Sequence, residues 1–179
     1  MEINPESANP IRNVSDTALW VAVYRAMESE RKDALFHDPF ARRLAGERGQ
    51  AIVDAMPRGK ELAWAMIVRT AVMDELILQC IRDGATSVLN LAAGLDTRAF
   101  RLDLPESLHW YHVDFPPMVE YVKDKLTGEK PRCALEYVAA DLREPEQRDA
   151  IFRKAAENGP VLVITEGLLV YLPAENVAD

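Results

Sequence analysis

The stretch that decides the fold is Ser87-Val-Leu-Asn-Leu-Ala-Ala-Gly-Leu-Asp96. Its first five residues form a short apolar run typical of a buried strand, and Ala92–Asp96 is typical of a strand-to-helix loop. Before Gly84, apolar residues recur at helical spacing, whereas after it short apolar runs alternate with amphipathic segments. The chain therefore changes from one structural class to another near residue 84.

Beyond Gly84 the pattern predicts strands separated by helices. The predicted helices are Pro117–Leu126 and Glu144–Glu157. The predicted strands are Ser87–Leu91, His109–Asp114, Leu135–Ala139 and Val161–Thr165. Strands that alternate with helices through short connections indicate α/β architecture with a parallel, doubly wound sheet. The almost pure Val/Leu/Ile composition of the last strand is typical of a strand covered on both faces.

Before Gly84 the chain is predicted to be helical. One helix starts with Ser15 or Asp16 as its cap, and a second starts at Asp38-Pro39 and ends at Gly46. A third runs from about Lys60 to Arg82, with Leu62, Met66, Val68, Met73, Leu76, Ile77 and Cys80 on its apolar face. The aromatic residues of this region are expected in its core: Trp20, Tyr24, Phe36 and Phe40.

These patterns divide the chain into three parts. Residues 1–14, with two prolines and three asparagines, are expected to form a mobile arm. Residues 15–84 form a helical region and residues 85–179 the sheet region. At 179 residues and 49% hydrophobic content the chain is long and apolar enough to bury a core, which excludes disorder over its whole length.

Charge and cysteine content exclude several classes of function. The net charge of −8 gives no general attraction to nucleic acid or to anionic membranes, so neither is expected as a partner. Cys80 and Cys133 have neither the number nor the spacing of a zinc site or a disulfide framework, and no metal is expected. The N-terminus lacks the pattern of a secretory signal and no apolar run approaches the length of a membrane span, so the expected location is cytoplasmic.

Acidic residues follow the predicted strands at the point where each one ends. Asp114, 20 residues after Gly94, ends the second strand, Asp141 and Leu142 follow the third, and Glu166 follows the fourth. Ligands of open α/β sheets bind outside the carboxyl ends of the strands. An acid at the position of Asp114 suits the hydroxyl groups of an adenosine ribose, and the Asp141–Leu142 pair suits an adenine. The set therefore indicates an adenosine-containing ligand.

The loop chemistry favours S-adenosylmethionine over a dinucleotide. Only one glycine of a GxGxxG pattern is present, and Asp96 stands where a pyrophosphate would need a free helix start. A nicotinamide dehydrogenase is thus disfavoured. S-adenosylmethionine has no phosphate, and its cationic groups tolerate carboxylates. Its single carboxylate could pair with Arg69 on the helix before the first strand, although a surface arginine on an amphipathic helix is the alternative for that residue.

The chain also resembles a known family. The run Asn90-Leu-Ala-Ala-Gly-Leu-Asp-Thr-Arg-Ala-Phe-Arg101 resembles the first motif of the leucine carboxyl methyltransferase family, which includes polyketide O-methyltransferases of the tetracenomycin type. The similarity runs from about Ser15 to the last residue. The other matching stretches, in the family's order, are Ser15–Trp20, Phe36–Ala41, Tyr111–Pro116, Ala140–Leu142 and Thr165–Leu172.

The resemblance implies a Rossmann-like class I methyltransferase fold with a helical N-terminal cover over the cofactor cleft. It implies that Arg69 holds the methionine carboxylate of S-adenosylmethionine, that Gly94 passes close to the methionine moiety, and that Glu166 lies near the amino end. It also implies that Asp114 binds the ribose and that Asp141–Leu142 lies on the adenine side.

The implied function is S-adenosylmethionine-dependent O-methyl transfer to a carboxyl or phenolic oxygen, with a small-molecule acceptor favoured over a protein C-terminus. The alternative is a non-catalytic cofactor-binding protein or a truncated remnant of such an enzyme. No catalytic base is identified. The histidines qualify by residue type alone, and a structural role is expected for His109 and His112 on the second strand.

Two departures from the family pattern stand out. Ala92 occupies a position where many relatives have glycine. Sheets of the family have seven strands, whereas four are predicted here, and the last, Val161–Ile164, should lie beside the first with its other edge open. We therefore expect self-association, or completion by a missing C-terminal half, and little methyl transfer by this chain alone.

Overall fold

A computed structural model describes residues 14–56 and 59–171 of the chain. It divides into two compact units, Met1–Ala71 and Val72–Asp179. The arm predicted at residues 1–14 lies outside the described residues, except for Val14, which begins the first helix.

The first unit is built around two packed helices, α1 (Val14–Ser29) and α2 (Ala41–Ala55). Their interface is apolar, with Tyr24 and Leu44 completely buried. Gly49 lies where the helices come closest, because a Cβ atom there would lie 2.9 Å from the backbone oxygen of Leu19. Tyr24 and Phe36 are core residues, as the sequence predicts, whereas Trp20 and Phe40 are half-buried.

The predicted cap of α1 is wrong. The helix already includes Val14, so Ser15 and Asp16 lie inside its first turn. Asp16 is buried and its carboxylate instead accepts a hydrogen bond from Arg48, at 2.8 Å. A partner 32 residues away along the chain leaves no local trace in the sequence.

The predicted boundaries of α2 also need correction. The helix begins at Ala41 with Phe40 as its N-cap residue, not at Pro39. Asp38 is buried, accepts the Phe40 N–H at 3.1 Å and pairs with Arg25 at 3.3 Å. Gly46 interrupts the helix with a φ of 56°, and the helix then resumes as far as Ala55. Gly46 therefore kinks helix α2 and does not end it.

Helix α3 (Gly59–Arg82) begins in the first unit and ends in the second. Its bounds agree with the predicted 60–82, and Gly84, with a φ of 109°, follows its end. Of the predicted apolar face, Ile77 is buried, but Leu76 is 54% exposed. Two consecutive helical residues point about 100° apart, so a narrow buried stripe holds only one of them.

The second unit contains the parallel sheet that the sequence predicts. Its strands are β1 (Ser87–Leu91), β2 (His109–Asp114), β3 (Ala134–Ala139) and β4 (Val161–Ile164), in the order β3-β2-β1-β4. All three strand pairs are parallel, and β4 lies beside β1 as expected. The helices between them are α4 (Arg98–Arg101), which was not predicted, α5 (Pro116–Lys125) and α6 (Pro145–Ala156), and a 3₁₀ turn, Leu169–Tyr171, follows β4.

Burial is unequal across this sheet. Every residue of β1 is buried, and Leu89, Tyr111 and Val113 form a core cluster with Ile151 of α6. In β4, by contrast, Ile164 is buried whereas Val163 is 41% exposed. The prediction that both faces of β4 are covered is therefore wrong for the part of the chain that the structure describes.

Gly49→Ala is expected to lower the free energy of unfolding by about 1–3 kcal/mol, as over-packing usually does. The added methyl group would meet the Leu19 oxygen, which belongs to a helix backbone and cannot rotate away. The higher helix propensity of alanine offsets about 1 kcal/mol at most. Urea denaturation followed by circular dichroism measures the difference. Glu47→Ala, at an exposed position of the same helix, is the control and should change stability little. Equal stability of the two variants would contradict close helix packing at Gly49.

Candidate functional site

The site lies at the edge of the sheet where the four strands end. Because all strands are parallel, their carboxyl ends meet at this edge. Asp114 is the last residue of β2, Asp141 follows β3, and Glu166 follows β4. The loop with Gly94 follows β1. Arg69 lies on α3 in the other unit, where it is half-buried.

The Asp114 carboxylate is held by two backbone groups. Its Oδ2 atom accepts the Gly94 N–H and its Oδ1 atom accepts the Phe115 N–H, each at 2.7 Å. The side chain is nearly buried, since the residue is 8% exposed. These bonds connect the loop after β1 with the end of β2. The spacing of 20 residues seen in the sequence is thus a direct contact in the structure.

The loop after β1, which contains Gly94, has an unusual backbone. Both Ala92 and Gly94 have positive φ values, 51° and 55°. Glycine adopts this region freely, whereas for alanine it costs about 1–2 kcal/mol. The strain at Ala92 explains physically why glycine suits this position. A hydrogen bond of 3.0 Å from the Ala93 N–H to the Val113 carbonyl holds the loop against β2.

Asp96 occupies the start of α4. Its Oδ1 atom accepts the Arg98 N–H at 2.7 Å, and its Oδ2 atom accepts the Asn90 side-chain amide at 2.7 Å. Helix α4 has only four residues. An N–H group that a dinucleotide-binding helix would offer to pyrophosphate is therefore already bound to a carboxylate, which supports the exclusion of that ligand class.

Sequence reasoning missed Arg98. Its guanidinium group is buried and contacts carboxylates from three segments, namely Asp74 at 2.6 Å, Glu166 at 2.8 Å and Asp96 at 2.9 Å. Burial by itself lowers the pKa of Arg98, but the carboxylates of Asp96, Glu166 and Asp74 outweigh it, so the pKa lies above its ordinary value. Arg101 pairs with Asp74 as well. An arginine at the start of a four-residue helix carries no sequence signal for contacts that lie up to 68 residues away.

Asp141 and Leu142 make local contacts. The Asp141 carboxylate accepts hydrogen bonds from the Arg143 backbone and guanidinium, the latter at 2.6 Å. The hydrogen bond from Arg143 lowers the pKa of Asp141 below its usual range. Leu142 is half-buried against the core cluster. The structure therefore joins Asp114 to Gly94 directly and Glu166 to Asp96 through Arg98. Asp141 pairs instead with Arg143, two residues further along the chain.

His112 lies buried beneath the loop. It is 3% exposed, and its Nε2 atom has no hydrogen-bond partner among the described residues. The centroid of its ring lies 5.2 Å from that of Tyr137, and the two rings are tilted by 56°. Burial lowers the pKa of His112, although the Asp96 and Asp114 carboxylates and a hydrogen bond to the Gly94 backbone act in the opposite direction. Burial also raises the pKa of Tyr137 to about 12, so that its hydroxyl group is protonated and uncharged at neutral pH.

This sheet and its acid-rich edge define the class of protein. A parallel Rossmann-like sheet with a single-glycine loop and carboxylates after successive strands is the architecture of class I methyltransferases. The sequence model of one such family, leucine carboxyl methyltransferase, matches residues 18–179. The chain belongs to the leucine carboxyl methyltransferase family.

Individual relatives agree with this membership. A protein of Streptomyces coelicolor is 39% identical over 173 residues, which cover 90% of this chain and 60% of the relative. A Frankia alni protein is 36% identical over 174 residues, with the same coverage. A Mycobacterium tuberculosis protein is 34% identical over 191 residues, covering 97% of this chain and 62% of its own. All three are named, provisionally, S-adenosyl-L-methionine-dependent methyltransferases. The chain spans about three fifths of the length of these relatives.

Two features are absent from the described ranges, 14–56 and 59–171. No helix there is both long and apolar enough to cross a membrane. Nor do three or more His, Cys, Asp or Glu side chains there form a group that could hold a metal ion.

His112→Gln is expected to reduce the loss of stability as the pH falls below about 6.5. The pKa of His112 is lower in the folded chain than the unfolded value of about 6.5. Between these two pKa values the unfolded chain binds the extra proton, so stability is complete above about pH 6.5 and falls as the pH drops towards the folded pKa. Glutamine retains an N–H donor for Gly94 but does not titrate.

The measurement is urea denaturation at several pH values. The wild-type slope should exceed that of His112→Gln by up to about 1 kcal/mol per pH unit. His37→Gln is the matched control, because His37 is exposed. Parallel slopes for wild type and His112→Gln would contradict a neutral, buried His112.

Proposed function

We propose that this chain binds S-adenosylmethionine at the carboxyl edge of its sheet and functions in O-methyl transfer. The observation that carries the proposal is the Asp114 carboxylate, held at the loop after β1 by the amides of Gly94 and Phe115. A carboxylate fixed in this way accepts further hydrogen bonds from vicinal hydroxyl groups without losing additional side-chain entropy. Asp114 is therefore assigned to the ribose.

The other donors and acceptors fit the same ligand. Glu166 suits the ammonium group, Gly94 allows close approach of the methionine moiety, and Asp141–Leu142 suits the adenine. Arg69 is assigned to the methionine carboxylate, for which a planar guanidinium is the best partner. Carboxylates dominate the set, which favours a ligand with hydroxyl and cationic groups over one with phosphates. When bound, S-adenosylmethionine supplies the methyl group, and the residues named here hold and orient it.

The proposed acceptor is a carboxyl or phenolic oxygen of a small molecule. A carboxylate is already ionised at neutral pH and needs no general base. A phenol has a pKa of about 10 and would benefit from a base. Catalysis at such a site rests on positioning and on exclusion of water.

A non-catalytic cofactor-binding role is the second candidate. The exposure of Val163 on β4 favours it. Formation of S-adenosylhomocysteine separates the two candidates, because a chain that only binds the cofactor produces none.

Asp114→Ala is expected to raise the dissociation constant of S-adenosylhomocysteine about tenfold to a hundredfold. The variant removes charge-assisted hydrogen bonds worth about 1.5–3 kcal/mol. Isothermal titration calorimetry measures the dissociation constant. Asp124→Ala, at an exposed position of α5, is the matched control and should bind like the wild type.

Asp114→Asn separates ligand contact from loop support, because the amide oxygen still accepts a backbone N–H. It should lose affinity while the circular dichroism spectrum stays unchanged. If folded Asp114→Ala and Asp114→Asn both bind S-adenosylhomocysteine like the wild type, Asp114 is not part of the site.

The proposal about partners concerns β4. Among the described residues, β4 pairs with β1 alone, and its sequence Val-Leu-Val-Ile carries no charge. The opposite edge strand, β3, carries Glu136, which pairs with Lys154. An uncharged apolar edge favours pairing with another chain. We propose that the isolated chain associates with a second copy of itself through β4, and that a C-terminal half would compete for the same edge.

Val163→Lys is expected to convert the associated chain towards a monomer, because a lysine on an edge strand opposes pairing. Size-exclusion chromatography with light scattering measures the mass, and near-UV circular dichroism reports whether the core is rigidly packed. Leu35→Lys, at a residue that is 63% exposed in the first unit, is the control and should not change the mass. A rigid, monodisperse wild-type monomer would refute association through β4, as would an unchanged mass of Val163→Lys.

A further inference from the structure

Arg98 connects the two carboxylates that flank the proposed position of the methionine moiety. Its Nη1 atom donates to Glu166 Oε2 at 2.8 Å and to Asp96 Oδ2 at 2.9 Å. Its Nε atom donates to Asp74 Oδ1 at 2.6 Å. One planar group thus joins α3, the loop after β1 and the segment after β4.

The geometry requires an arginine. The donors of a guanidinium point in fixed directions within one plane, so that Nη1 can serve two carboxylates while Nε serves a third. A lysine has one nitrogen on a flexible chain and cannot hold three acceptors from separate segments in one plane.

Stability is a weak reason for this arrangement. The Arg98 side chain is 4% exposed and that of Asp96 is 7% exposed, so both charges have been removed from water. Buried ion pairs of this kind often contribute little net stability compared with apolar packing. What they do provide is a defined orientation of each member.

Among the described residues, the cluster brings two guanidinium groups, Arg98 and Arg101, against three carboxylates, Asp74, Asp96 and Glu166. The Glu166 side chain is the most exposed of the three carboxylates, at 17%. A ligand with cationic groups is therefore attracted to the part of the cluster that Arg98 orients.

We propose that Arg98 is a positioning residue of the cofactor site, which holds Glu166 and Asp96 in place for the amino-acid end of S-adenosylmethionine without contacting the cofactor itself. This inference rests on the proposed function. It assigns a role in binding to Arg98, which donates hydrogen bonds to Asp96 and Glu166 but is not itself assigned to a group of the cofactor.

The test compares two ligands on the full 179-residue chain. Arg98→Lys keeps the charge but not the planar arrangement, and it is expected to weaken S-adenosylhomocysteine binding about tenfold, which corresponds to about 1.4 kcal/mol. Adenosine lacks the amino-acid end, so its dissociation constant should change less than about twofold. General structural damage would weaken both ligands, and this outcome would overturn the proposal.

Arg101→Lys is the matched control. Arg101 is also a buried arginine that pairs with Asp74, at 2.6 Å. Its substitution is expected to lower the thermal unfolding temperature while the ratio of the two dissociation constants stays the same. If Arg101→Lys changes that ratio as much as Arg98→Lys does, the contacts with Glu166 and Asp96 are not the cause.

Glu166→Gln tests the same contact from its other partner and does not depend on how well Arg98→Lys folds. It should weaken S-adenosylhomocysteine binding. The double variant, Arg98→Lys with Glu166→Gln, should bind almost as well as the weaker-binding single variant, because both substitutions remove the same Arg98–Glu166 contact. Wild-type affinity in folded Glu166→Gln, or strictly additive losses, would overturn the role of Arg98. A wild-type chain that binds no S-adenosylhomocysteine would instead refute the proposed function, and the inference with it.

Discussion

The hydrogen bond from the Gly94 N–H to Asp114 Oδ2, 2.7 Å long, sets the shape of the candidate site. It closes the loop after β1 onto the end of β2, and the second bond, from the Phe115 N–H, prevents the carboxylate from rotating. The loop can follow this path only with positive φ values at residues 92 and 94. Strain at Ala92 is thus a local cost of an arrangement that places a fixed acid beside a half-buried turn of backbone.

The strand residues beneath the loop that follows β1 include buried polar side chains, which is unusual for the interior of a sheet. Asn90 and His112 are opposite each other in the pairing of β1 with β2, and both are buried. Asn90 donates to Asp96, and the His112 ring contacts the Tyr137 ring at a tilt. A buried imidazole costs stability when one of its nitrogens, like Nε2 of His112, finds no hydrogen-bond partner in the part of the chain that the structure describes. Its position under Gly94 indicates that the shape of the loop depends on polar contacts from below as well as on Asp114.

Charge balance explains which ligands this edge favours. Four carboxylates lie along it or just beneath it, those of Asp96, Asp114, Asp141 and Glu166, and the start of α4 is already bonded to one of them. Such a surface repels phosphate and favours hydroxyl groups and cations. The arginines near it are paired with carboxylates, and the buried one, Arg98, orients two of them.

The sequence by itself determined the order and type of the elements, apart from the short helix α4 and the 3₁₀ turn after β4. The predicted strands agree with the observed ones to within one residue at each end, because the hydrophobic pattern of a strand is local. The acids that follow the strands could be identified in the same way, since parallel topology brings the strand ends together. The motif around Gly94, together with the other matching stretches in the family's order, identified the family. Only the tertiary structure decided the contacts of Arg98, the buried pairing of Asp16 with Arg48, the kink at Gly46 and the exposure of Val163. Ion pairs and burial depend on which distant segments meet in space, and residues that lie 24 to 68 positions apart carry no local pattern that announces their contact.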